Sequence, residues 1–489
     1  MTHLASSGAA GPPAAMPVPA DPRMQWATLL VMLCGTFMVV LDFFIVNVAI
    51  PSIQRELHAS SGAIQMVVAG YGIAMAAGLI TGGRLGDLYG RRRMFMLGLA
   101  LFTLASALCG LASSEEMLIG ARVLQGLAGA LLQPQVLAML GLVYTGAHRA
   151  RAFAAYGLAL GFGALGGQLV GGLLIHADLA GLGWRSCFLI NVPVGLVAFA
   201  LAPRFIPALK APGGSRLDLA GMVLVATGLV AVIAPLVEGR EQGWPLWSWL
   251  CLAGAVPLLL LLAVHQKRLA GRGGSPLIAP SLFAEPAFVT GLWVSLVFYA
   301  GNASFYFVLA LYLQQGRGMG ALDSGLVFTA LALGFFVTSM AAPLLARWLG
   351  RQSIAVGVLV LGAGHLLQYL GVTQGGQGAS LLWVAAVLFI EGAGVGMVMA
   401  PLVSAVLAGL PPRHAGVASG LQATVQQVGN SLGVALIGLL FYGRLGSGGN
   451  PAAYAAAFGD SLLYLLGLAI VVAVLFQRLP RPTPRSDEK

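Results

Sequence analysis

Asp42, Arg122 and Glu391 are ionisable side chains set inside long apolar stretches of a 489-residue sequence. A charge in such a stretch is costly unless it pairs or neutralises, so each is a place where a proton or a cation would bind and leave. Asp42 and Arg122 complement each other. Burial favours the neutral acid and a neighbouring guanidinium favours the carboxylate, so a group exposed to both changes protonation as its surroundings open and close. Glu391 is the remaining embedded acid and favours an adjacent cation or its own proton. Asn302 lies among Phe298, Tyr299, Phe305 and Tyr306, broad apolar surface with one polar group, as in the wall of a ligand pocket. Gln125 is expected to give the substrate a further polar contact. The other embedded polar groups, Asn47, Gln133, Gln168, Asn191, His365, Gln422, Gln426 and Gln427, are expected to bond between helices at about 1 kcal/mol or less each, His365 chiefly as packing.

Other chemistries lack their residues. The four cysteines, Cys34, Cys109, Cys187 and Cys251, fall in apolar runs without metal-ligand spacing, and His58, His148, His176 and His414 stand on different loops with no partner motif. No metal or cofactor is expected. A Gly-rich phosphate loop with its Lys is missing, which disfavours ATP-driven work.

The elements that must hold the three charges follow from composition. The chain is 58% hydrophobic and 9% charged, with mean hydropathy +0.89, which excludes a soluble, disordered or fibrous protein. Spanning runs begin near Trp26, Gly62, Met94, Glu116, Arg151, Ser186, Leu219, Leu246, Ala287, Leu322, Ser353, Leu381, Gly416 and Tyr454: fourteen transmembrane helices, all-α and polytopic. The net charge of +10 reflects topology, not nucleic acid. With both tails inside, twenty Lys and Arg fall in the inner loops and tails, five in outer loops, and Arg122 in a span. That asymmetry predicts cytoplasmic termini. The arginine bias fits a GC-rich bacterial genome, and the expected location is the bacterial cytoplasmic (inner) membrane. Residues 1–25 and 478–489 read as cytoplasmic tails, 1–25 disordered. At about 1.5 Å per residue, Asp42 lies about 14 Å below the outer surface, Arg122 about 9 Å and Glu391 about 15 Å.

Polar connections flank the seventh and eighth helices, so 207–285 reads as a linker with an inserted helix pair between six-helix halves at 26–206 and 286–477. A short repeat supports the halves. Gly83-Arg-Leu-Gly-Asp-Leu-Tyr-Gly-Arg91 and Pro343-Leu-Leu-Ala-Arg-Trp-Leu-Gly-Arg351 share Leu, Gly and Arg at the same positions, each after the second helix of a half, as parallel transporter repeats require.

The string from Gly83 through Asp87, Gly90 and Arg91 to Arg93 resembles the loop motif of the major facilitator superfamily. Leu41-Asp42-Phe-Phe-Ile-Val-Asn47-Val-Ala-Ile-Pro51, Leu118-Ile-Gly-Ala-Arg122-Val-Leu-Gln125-Gly126 and Trp184-Arg185-Ser-Cys-Phe-Leu-Ile-Asn191-Val-Pro193 resemble its fourteen-helix drug:proton antiporter branch. Gly163, Gly167, Gly171 and Gly172 match the spacing of the antiporter motif, with Gln168 where the pattern has proline. Recurring every four residues, these glycines line one helix face for close packing. The resemblance implies a cavity lined by helices one, four, nine and twelve, so that Asp42, Arg122 and Glu391 face one space. It also implies a latch at Gly83, Asp87, Gly90 and Arg91. The expected function is proton-coupled efflux of lipophilic, even cationic, compounds by alternating access. The partners are a small-molecule substrate, protons and the lipid bilayer. An exporter of one natural product, sugar or siderophore, a proton-independent facilitator, a membrane-embedded transferase, and a periplasmic adaptor as partner stay open.

Overall fold

The structure is a computed structural model that describes residues 22–478 apart from Thr145, 209–216, Glu241, Arg351, 375–379, 408–414 and 447–448. Residues 1–21, 479–489 and Arg351 of the second repeat copy therefore lie outside the described residues. Among the described residues, fourteen helices are long and apolar enough to cross a membrane. They are α1 (Pro22–Leu57), α2 (Ser61–Tyr89), α3 (Arg91–Gly110), α4 (Glu115–Val143) and α5 (Gly146–Ala177), then α6 (Gly183–Phe205). There follow α7 (Leu219–Glu238), α8 (Leu246–Gly271), α9 (Pro286–Leu311), α10 (Ala321–Leu349), α11 (Gln352–Gln374), α12 (Leu381–Leu407), α13 (Ala415–Leu445) and α14 (Pro451–Gln477). The apolar runs become helices because hydrocarbon offers the backbone no partner but itself. Polar caps set several starts: the side-chain oxygens of Ser60, Ser114 and Asn450 accept the amides of Ala63, Met117 and Ala453,. One expectation needs correcting. Helix α1 starts at Pro22, so 22–25 are helical and not tail; proline's fixed φ and missing N–H suit the first turn.

Packing repeats across the chain. Helix α2 lies on α4 and α1 on α5, as α10 lies on α12 and α9 on α13. Glycines make each approach close. A Cβ at Gly126 would strike the α2 backbone at Tyr71, and one at Gly392 the α10 backbone at Leu331. Gly167 packs on the Phe44–Ile45 segment of α1, and Gly433 on Ala300 of α9. Helices α1–α6 and α9–α14 thus form two similar bundles; α7 rests on α2 and α13, and α8 packs on α7.

The bundles share their largest apolar cluster at one end. Near the α1–α2 turn at His58, one apolar cluster draws on both, including Phe44, Ile45, Tyr306, Phe328, Phe441 and Trp184. Towards the α2–α3 turn at Gly90, each bundle has its own cluster, around Phe95, Leu99 and Met139 in the first and Phe288, Val398 and Phe476 in the second.

Candidate functional site

Asp42 sits midway along α1 and Arg122 two turns into α4, and the structure brings them together as a salt bridge with neither side chain exposed. One carboxylate oxygen, Oδ2, accepts from Arg122 Nη1; the other, Oδ1, accepts from Gln125 Nε2 at 2.8 Å and Asn191 Nδ2 at 3.1 Å. Gln125 Nε2 and Asn191 Nδ2 also reach Ser106 Oγ at 3.0 and 2.9 Å. Arg122 is held in turn. Its Nε donates to the Val67 carbonyl at 3.0 Å, its Nη1 to Gln125 Oε1 at 2.7 Å, and its guanidinium lies 4.2 Å from the Tyr71 ring centroid. Five helices thus converge on one charge pair, and the buried atoms Arg122 Nη2 and Asn191 Oδ1 lack a hydrogen-bond partner in it. Such a pair persists in low dielectric because nearly every lone pair and N–H is used.

Local sequence explains the convergence. Gln125 lies one turn after Arg122 and shares its face. The Trp184-to-Pro193 stretch is anchored at the His58 end, where Trp184 Nε1 donates to Glu56 Oε2 at 2.7 Å and Arg185 pairs with Glu56. Seven residues after Trp184, Asn191 reaches Asp42.

Glu391 on α12 is fully buried, and its Oε1 meets His365 Nδ1 of α11 at 2.8 Å. A Cβ on Gly364 would collide with the Glu391 side chain, so that glycine is the room the acid occupies. Its second oxygen, Oε2, has no partner. Beside the pair is an apolar pocket inside the second bundle, lined by Phe298, Asn302, Phe305, Leu331, Val358 and Leu465 among others. Among the described residues no group of three His, Cys, Asp or Glu is poised for a metal.

The structure departs from the sequence reading in several respects. The three charges do not share one cavity: Asp42 and Arg122 are sealed within the first bundle and Glu391 within the second. Gln125 serves the ion pair and not a substrate wall, because its amide is consumed by Asp42, Arg122 and Ser106. Asn302, Phe298 and Phe305 do line a pocket with Glu391. Tyr299 and Tyr306 do not; Tyr306 turns to the bundle interface, stacking on Phe328 at 6.1 Å and edge-on to Phe44 at 5.1 Å. His365 is no mere packing group. Its partner lies 26 residues away on the next helix, a distance at which sequence spacing gives no signal.

Gly163, Gly167 and Gly171 pack on α1 at Val40, Phe44 and Ile45, directly behind Asp42, whereas Gly172 packs on α10 at Ala321. The Gln168 side chain donates to the Phe44 carbonyl at 3.1 Å, a tie that proline could not make. In the loop motif, Asp87 pairs with Arg91. Gly90 takes φ +95°, a conformation open to glycine,. A Cβ on Gly83 would make ordinary contact with Pro134 of α4. Arg84 donates to the carbonyls of Ser275 and Pro276 in the segment before α9.

Comparison with known proteins agrees with this architecture. The chain is 39% identical to a probable actinorhodin transporter of Streptomyces coelicolor, over 90% of this chain and 75% of that protein. It is 36% identical to a cephamycin export protein of Amycolatopsis lactamdurans, over 94% of each. Against a puromycin resistance protein of Streptomyces alboniger the identity is 35%, over 93% of this chain and 90% of the relative. A solved proton-dependent oligopeptide transporter superposes with TM-score 0.68 over 92% of this chain and 98% of its own, at 16% identity, a likeness of fold alone. The sequence profile of the Major Facilitator Superfamily matches residues 32–434. With its fourteen helices and doubled bundle, the chain belongs to the Major Facilitator Superfamily of membrane transporters.

Proposed function

We propose that this protein exports lipophilic, antibiotic-like small molecules from a bacterial cell in exchange for protons, with Asp42 as the coupling carboxylate and Arg122 as the charge that tunes it. The carrying observation is the buried Asp42–Arg122 pair: a carboxylate in low dielectric whose single counter-charge comes from another helix. When α1 and α4 shift relative to each other, the carboxylate loses its guanidinium and takes a proton; when they return, it releases one. The names of the relatives, an antibiotic transporter, an antibiotic export protein and an antibiotic resistance protein, support this substrate class, and two of them favour a single natural product as the physiological cargo.

With twenty basic residues in its loops and the two tails, the Gly90 end is the cytoplasmic one and both termini are cytoplasmic. The shared core at the His58 end then makes this the inward-facing arrangement, with the exit side closed. In the opposite arrangement the Gly90 ends come together, and the Gly83–Arg91 loop is the element that latches them. Substrate-dependent proton movement in proteoliposomes tests the reading. Adding a lipophilic antibiotic to vesicles holding a pH-sensitive dye should move protons in wild type, and Asp42→Asn should lose this when compared at equal amounts of folded, reconstituted protein. Undiminished proton movement in that variant would remove Asp42 from the coupling role.

A further inference from the structure

At the Gly90 end the bundles keep separate apolar clusters, yet a polar tie crosses between them. Its root on the first bundle is the last part of α2. Gln135 Nε2 of α4 donates to the Gly82 carbonyl at 2.6 Å, and a Cβ on Gly86 would strike the same Gln135 side chain, so this stretch of α2 is fixed to α4. From it Arg84 clasps two consecutive carbonyls, Ser275 through Nη1 at 3.0 Å and Pro276 through Nη2. Those carbonyls belong to the segment between α8 and α9. It leaves α8 at Gly273, φ +70°, where the Gly274 amide closes on the Leu269 carbonyl at 3.0 Å, a glycine stop,. Pro276 and Pro280 then restrict its backbone,, and Ile278 and Leu282 seat it in the second bundle's core beside Phe288. A third point holds it from the side: Gln266 Oε1 of α8 accepts the Ile278 amide at 3.1 Å, while Gln266 Nε2 donates to Asp218 of α7 at 2.6 Å.

We infer that Arg84 is a positioning residue: by clasping this strap it stabilises the arrangement in which the bundles share a core at the His58 end, with the inserted pair α7–α8 as the strap's anchor. The argument is one of leverage. The clasp joins one point on each bundle, and Arg84 lies about 39 Å from His58 along α2, at about 1.5 Å per residue,. Rocking about the shared core therefore separates the two points most at this end, and a hydrogen bond is lost by about 3.6 Å. Two charge-assisted bonds made in one arrangement and broken in the other bias the equilibrium toward the first. Released, Arg84 has an acid to turn to. Asp87 lies three residues on along the same face of α2, and its charge and that of Asp218 both act on Arg84; with the clasp made, Asp87 pairs with Arg91. The loop motif thus has a partner in each arrangement, the strap in this one and the proposed latch in the other. The inference rests on the export reading only for the sidedness and for that opposing latch; the clasp itself is a matter of geometry.

The test reads the equilibrium without cargo, in full-length protein in lipid nanodiscs. Tyr306→Cys places a thiol at the Phe44 contact of the shared core, with Cys34→Ser and Cys251→Ser in the background. A water-soluble maleimide in excess alkylates that thiol in proportion to the time the His58 end spends open, so even a rare population is counted. Adding Arg84→Ala should raise the rate about tenfold, as expected when bonds to a charged group are lost from one arrangement only. Cys109 and Cys187, buried inside the first bundle, should stay unreacted, because a merely loosened fold would expose them as well. Arg84→Lys, whose ammonium cannot fork across two carbonyls, should give an intermediate rate. Gln266→Ala, which frees the strap from α8 and leaves Arg84 intact, should raise the rate too, and together with Arg84→Ala should give less than the product of the two effects. Nitroxide labels at Arg204→Cys and Trp348→Cys, both exposed, should show the Gly90 ends moving closer in Arg84→Ala. None of these readouts depends on proton coupling or on cargo, so they stand or fall apart from the export reading. An unchanged alkylation rate in Arg84→Ala, equal exposure of Cys109 and Cys187, or Gly90 ends that move further apart would overturn the proposal.

Discussion

At the residue scale the fold resolves into two buried carboxylates treated differently. Asp42 is saturated: three donors from α4 and α6 fill its oxygens. Glu391 keeps one oxygen free. The first predicts a specific energetic signature. Removing Arg122 alone strands a buried carboxylate, which costs about 3–5 kcal/mol, so Arg122→Ala should lower the melting temperature in detergent sharply. The double variant Asp42→Asn with Arg122→Ala, having no charge left to strand, should recover much of that loss; if the two losses simply add, the pair is not the interaction described here. Sequence revealed Asp42, Arg122 and Glu391 because a charge in an apolar run stands out by itself. It did not reveal the partners. Asn191 and Ser106 are ordinary polar residues until helix packing aims them at Asp42, and His365 gains meaning only from Glu391 on the neighbouring helix.

At the element scale, helix number and order were legible because hydrophobic length alone sets them, whereas helix contacts depend on which small residues face each other. The glycine stripe of α5 was visible; that three of its members back the Asp42 segment of α1 and the fourth meets α10 was not. The inserted pair is likewise more than a spacer. Asp218 caps α7 by accepting the Gly221 amide at 2.8 Å, and also meets His265 at 2.7 Å and Gln266 at 2.6 Å on α8, while the Gln266 Oε1 accepts from Ile278 at 3.1 Å. Arg84 of the loop motif holds the same segment through Ser275 and Pro276. Partial burial disfavours the Asp218 charge, but the bonds from His265, Gly221 and Gln266 outweigh it and hold the acid below the ordinary carboxylate range. Its stabilising contribution is therefore present above the ordinary value, about 3.9, and is lost as pH falls through the lowered one. Asp218→Ala should cost about 1 kcal/mol at neutral pH, the usual worth of a helix cap, and its melting temperature should fall less steeply than that of wild type on acidification. Equal slopes for the two would place the acid-sensitive group elsewhere.

At the scale of the whole molecule, two bundles share a core at the His58 end and keep separate cores at the Gly90 end. Packed rings run between the two charge sites, from Tyr71 through Phe43 and Phe44 of the first bundle to Tyr306 and Phe305 of the second and so to His365. The contact between Phe44 and Tyr306 belongs to the shared core at the His58 end, and the proposed alternation of the two bundles requires it to part. Sequence carried the doubled architecture in one short repeat and in the sidedness of its basic loops. It could not carry which end shares a core, because that depends on how the helices of the two bundles pack. The central claim is that a proton on Asp42 couples the two bundles to cargo. Its most direct test compares two assays of Asp42→Asn in vesicles loaded with a lipophilic antibiotic. Export driven by an imposed pH gradient should be lost, while exchange of labelled for unlabelled substrate, which needs binding and rocking but no net proton movement, should persist. Gradient-driven export at the wild-type rate in that variant would contradict the account.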